Sequence, residues 1–115
     1  MEIRYRDKLE AFVTKDKSEI REYFHSLNLS LAEALLKPGQ VTQYHLHKKS
    51  EEIYYILDGK GLMNIEGKES EVAEKQAIYI APGKRHKITN VGEKPLIFLC
   101  ACSPAYSDED TLLED

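Results

Sequence analysis

Between Gly39 and Gly59 the chain reads Gly, five residues, His45-Leu46-His47, four residues, Glu52, six residues, Gly. This run is best folded as a pair of strands. Residues 41–47 carry Val41, Thr42 and Tyr44 and contain no Gly or Pro, which predicts a strand. Side chains alternate across a strand, so His45 and His47 fall on one face. Lys48-Lys49-Ser50 then turns the chain, and residues 53–57 form a second strand closed by the turn pair Asp58-Gly59. Glu52 opens that strand and returns a carboxylate beside the two imidazoles. Glu51 competes for this role, but it falls on the opposite face and reads as solvated.

A second segment answers the first. Pro82-Gly83 is a turn, and His86 follows it at the head of a further strand that runs through Asn90. Three of the four histidines and one carboxylate thus lie in short strand-like segments. Imidazole and carboxylate are ligand types for Zn, Fe, Mn, Ni and Cu, so metal binding is the first expectation. His25 stands apart and reads as a solvated surface residue.

Together the two segments resemble the cupin family. Its first motif, Gly-x5-His-x-His-x3,4-Glu-x6-Gly, is matched by residues 39–59 at every fixed position. Its second, Gly-x5-Pro-x-Gly-x2-His-x3-Asn, is matched at Gly83, His86 and Asn90. Lys75 and Ala81 stand where that motif has Gly and Pro, and Pro82 sits one position later. The resemblance spans roughly residues 28–102. It implies an all-β fold, a small jelly-roll barrel, with His45, His47, Glu52 and His86 as ligands of a divalent transition metal. It also implies a homodimer paired through a sheet.

Composition fits this reading. A chain of 115 residues makes one domain. Its expected parts are an N-terminal arm or edge element (1–27), the barrel (28–102) and an acidic tail (103–115). At 42% hydrophobic residues it is too apolar for disorder. The net charge of -4, without a basic stripe, argues against nucleic acid. No apolar run approaches the roughly 18 residues of a membrane span. The N-terminus lacks the apolar core of a signal peptide, so cytoplasm is the default compartment. Cys100 and Cys102, two residues apart on one strand, are poorly placed for a disulfide, which suits a reducing compartment.

Elsewhere the chain reads as about eight short strands and turns, an all-β pattern. Residues 18–24 fit either a short helix or a strand. Residues 61–65 and 69–72 form a hairpin. The tail reads as a short helix or a loose end, anchored by Leu112 and Leu113.

Three neutral imidazoles and one carboxylate leave a net charge near +1 on a divalent ion. Two positions stay open on an octahedral ion, whereas a zinc shell is nearly filled. The ligand types leave manganese, iron, nickel, zinc and copper all open. Strand parity nominates Gln43, Tyr54, Phe98 and Cys100 as pocket lining beside the metal. Plain core packing is the alternative for the apolar members. No second carboxylate or free histidine offers itself as a general base. The expected function is a metal-dependent enzyme acting on a small polar molecule, of oxygenase, isomerase or decarboxylase type. The alternative is a binding or sensing module with a structural metal.

Overall fold

The computed structural model describes residues 1–114. The strands in chain order are β1 (Phe12–Val13), β2 (Glu19–His25), β3 (Ser30–Leu36), β4 (His45–His47), β5 (Glu51–Asp58) and β6 (Lys60–Ile65). They continue with β7 (Lys68–Ala73), β8 (Ala77–Ile80), β9 (His86–Asn90), β10 (Leu96–Ser103) and β11 (Thr111–Leu113). Among the described residues the only helical element is the 3-10 turn Arg6–Lys8, and no helix is long and apolar enough to cross a membrane.

The strands form two antiparallel sheets, ordered β1-β2-β3-β10-β5-β8 and β11-β4-β9-β6-β7. This is the expected jelly roll, with the core between the sheets. Strand β5 shows why. Glu52, Tyr54 and Ile56 point inward and are buried, while Glu51, Ile53, Tyr55 and Leu57 point outward. Leu36, Ile56, Ile88 and Leu96 are fully buried in that core. Each stabilises the fold by about 1.5–3 kcal/mol relative to exposure.

The chain ends join the sheets. The segment expected as an arm or edge element contributes β1 and β2 at the edge of the first sheet. Residues 18–24, ambiguous between helix and strand, lie mostly in β2, because pairing with β3 decides what so short a pattern cannot. The tail ends in β11, a strand paired with β4, and not in a helix or loose end. Its anchor is Thr111, only 1% exposed, whereas Leu112 and Leu113 face outward.

Two turns carry backbone constraints. Gly59 has φ +92°, and a Cβ there would stand 2.8 Å from the Pro95 carbonyl oxygen. Only glycine fits this approach of the β5–β6 turn to β10. Lys75 has φ +70° at the position where the second cupin motif has glycine, so it holds a left-handed conformation at a steric cost. Asn90 locks a third turn: its amide donates to the carbonyls of Leu36 and Lys94, and its Oδ1 accepts from the Gly92 N–H.

Candidate metal centre

Strand register assembles the site. His45 lies opposite His86 across the β4–β9 pair. Glu52 lies opposite Cys102 across β5–β10, and His47 opposite Thr111 across β4–β11. One nitrogen from each of His45, His47 and His86 falls within 4.8 Å of the others, and all three rings are buried. Glu52, 4% exposed, closes the group. Its Oε1 is 3.3 Å from His47 Nε2 and 3.2 Å from His86 Nε2.

The second nitrogen of each ring settles the tautomers. His45 Nδ1 lies 2.7 Å from the Gln43 carbonyl, and His86 Nδ1 lies 2.9 Å from the Lys84 carbonyl. A carbonyl only accepts, so both Nδ1 atoms carry the proton. His47 Nδ1 is 3.0 Å from Thr111 Oγ1, whose own hydroxyl donates to the Ser107 carbonyl. That hydroxyl must accept from His47. In the neutral rings all three Nε2 atoms therefore present lone pairs to the centre. This is the outer-shell pattern that orients metal-ligating histidines.

The lone pairs of His47 and His86 face a carboxylate oxygen that also only accepts. Glu52 Oε1 and His86 Nε2 are buried without a hydrogen-bond partner among the described residues. Without a cation, a proton takes up the mismatch. Burial works against a charged His47, but the Glu52 carboxylate outweighs it and raises the His47 pKa. Burial likewise opposes ionised Glu52, yet the adjacent His47 and His86 rings hold its pKa far below the usual range. Burial and neighbouring His86 lower the pKa of His45. The donor set and its orphaned atoms fit a divalent cation.

Of the residues nominated to line the pocket, Tyr54, Phe98 and Cys100 border the cavity beside the centre. Tyr54 and Phe98 stack with centroids 4.7 Å apart. Gln43 is not among the lining residues. Regular strand pairing begins only at His45, so parity does not extend back to 43; Gln43 serves through its backbone, donating to the Asp16 carbonyl and accepting from His45. Glu51 is exposed and accepts from the Tyr79 hydroxyl, and His25 is exposed beside Glu22. Burial and the charge of Glu52 push both cysteine thiols up, so they stay protonated. Cys102 Sγ lies 3.2 Å from Glu52 Oε2 and donates to it.

Both chain ends add groups that the motifs do not contain. Thr111 and Tyr106, whose ring meets His47 edge-on, come from the C-terminal segment. Asp16 comes from the N-terminal loop, with Oδ2 3.5 Å from His45 Nε2. It is the second carboxylate that the sequence pattern lacked. Thr14-Lys15-Asp16-Lys17-Ser18 is legible as a turn, but nothing in it points to a site 29 residues away in sequence at His45.

The comparisons with known proteins agree with this geometry. Residues 32–102 match the cupin domain family. An uncharacterised protein of Methanocaldococcus jannaschii is 47% identical over 110 residues, covering 91% of this chain and 88% of that protein. A glucose-6-phosphate isomerase of Sinorhizobium medicae is 33% identical over 111 residues; the match covers 85% of this chain and about half, 51%, of the isomerase. The crystal structure of an uncharacterised protein with a double-stranded β-helix domain from Klebsiella pneumoniae superposes with a TM-score of 0.83 at 16% identity, covering 100% of this chain and 98% of that one. The chain belongs to the cupin family, and its three-histidine cluster is suited to a divalent metal ion.

Proposed function

We propose that this cupin is a metal-dependent enzyme acting on a small polar molecule, with a divalent ion held by His45, His47, Glu52 and His86. The observation that carries this reading is the convergence of three oriented imidazole nitrogens, two of them within 3.3 Å of a buried, unpartnered carboxylate oxygen. Acceptors facing acceptors in a buried site need a proton or a metal ion between them, and three oriented imidazoles beside a carboxylate suit a metal ion. The bound ion would act as a Lewis acid on an oxygen of the substrate. Asp16 Oδ2 offers a proton acceptor at the same centre, which supports the isomerase type over the oxygenase and decarboxylase types. The isomerase name among the relatives supports the same choice.

The test is metal content. Protein purified from its own host should carry about one transition-metal ion per chain by elemental analysis, and His47→Ala should lose most of it. Unchanged metal content in that variant would sink the ligand assignment.

The outward row of β5 supports a homodimer. Ile53, Tyr55 and Leu57 are exposed there, where an antiparallel sheet facing water carries polar residues. A second copy pairing on this sheet covers the row; a monomer in sedimentation at working concentration overturns the pairing. The two free thiols suit a reducing compartment such as the cytoplasm.

A further inference from the structure

We infer that the centre selects a neutral, hydroxyl-bearing molecule of a few heavy atoms and discriminates against anions; this rests on the metal centre proposed above. The ground is the charge inventory of the cavity. Asp16, Glu22 and Glu52 line it, and no Lys or Arg does among the described residues. Lysines flank Asp16 on both sides, but neither lines the cavity, and Lys15 Nζ donates to the carbonyls of Asp108 and Thr111. Carboxylate and phosphate ligands are ordinarily gripped by Arg or Lys. Here such a grip is missing.

Asp16 is held firmly in its pose. Its Oδ1 receives the hydroxyl of Thr14 and both the N–H (3.2 Å) and the hydroxyl (2.7 Å) of Ser18. That leaves Oδ2 facing the centre, without a hydrogen-bond donor among the described residues, and the Asp16 side chain is only 14% exposed. The carboxylates of Asp16 and Glu52 together cancel the charge of a divalent ion. An anionic ligand therefore brings an uncompensated charge into a buried site, where repulsion is weakly screened. A neutral hydroxyl brings what Oδ2 lacks, an O–H donor. Tyr54 and Phe98 give the carbon side an apolar wall.

Size narrows the class further. The cavity volume is 40 Å³, room for on the order of three waters. A hexose phosphate exceeds this and carries the wrong charge. The substrate named for the isomerase relative therefore does not transfer to this chain.

Glycolamide and glycolate test the point, because they share size and hydroxyl and differ in charge. The full-length protein is loaded with Mn(II), its loading is checked by elemental analysis, and both compounds are titrated by paramagnetic relaxation of their protons. The wild type should favour glycolamide. Asp16→Asn, which keeps the Oδ1 acceptor, should shift the ratio toward glycolate by about tenfold. Glu22→Gln, farther from the ligands at the cavity wall, should shift it the same way by less, and it serves if Asp16→Asn fails to fold. Wild type that favours glycolate, or a ratio unmoved in the folded variants, overturns the inference and leaves the metal centre standing. Wild type that takes up no manganese, nor any other divalent ion, overturns both.

Discussion

The motif strands and the chain ends build the same site in different ways. Strands β4, β5 and β9 hold the proposed ligands at positions set by their own spacing, each buried by the barrel around it. Residues 14–18 and 106–111 contribute no ligand of that set. They reach the centre because Lys15 ties to the carbonyls of Asp108 and Thr111, because the Gln43 N–H donates to the Asp16 carbonyl, and because β11 pairs with β4. The lesson is a division of labour. The motif segments hold the donor atoms and orient His45 and His86 through their own carbonyls, whereas the ends orient His47 and set the charge around the centre.

The sharpest way to break this division is to remove a donor and an orienter separately. Glu52→Gln removes the charge that the three imidazoles face and should cut metal affinity by more than about 100-fold, beyond the range of outer-shell changes. Competition against a chelator measures it. Thr111→Val keeps the shape of the side chain but frees the His47 tautomer; it should cost about 10- to 100-fold in metal affinity. If Thr111→Val costs as much as Glu52→Gln, holding and orienting are not distinct roles. If it costs nothing, the tail is mere packing.

Protonation sharpens the same contrast. In the metal-free protein Glu52 sits below its ordinary value of 4.5, so its stabilisation is full above that value and fades as pH falls through the lowered pKa. His47 sits above 6.5, so its stabilisation is full below that value and is lost as pH rises through the raised pKa. From these two groups the metal-free protein should be most stable between about pH 4.5 and 6.5. Metal binding must displace the His47 proton, so affinity should rise with pH across the same group. Melting temperatures with and without metal should converge at low pH and diverge as pH rises; parallel curves would argue against a shared proton and metal site. The smallest effect belongs to a turn away from the site. Lys75→Gly relieves the left-handed strain at φ +70° and should stabilise by about 0.5–1 kcal/mol, the strain relieved less the added chain entropy. Denaturant unfolding checks it, and metal affinity should not move.

How much of this was legible depends on the range of the interaction. His45 and His47 share a face by strand alternation alone, and Glu52 follows one turn later. Gln43 shows the limit of such counting, because parity holds only where the strand is regular. Asp16 and Thr111 were invisible for another reason. Asp16 meets His45 across the two sheets, 29 residues away in sequence, and Thr111 meets His47 through a strand pairing 64 residues away. No local pattern encodes that distance.

The sequence by itself determined the barrel, the metal-ligand types and their shared face, because these rest on spacings of a few residues within single strands and turns. Only the tertiary structure decided the tautomers, the second carboxylate and the charge of the pocket. Those depend on which carbonyl, hydroxyl or carboxylate the folded chain brings against each imidazole.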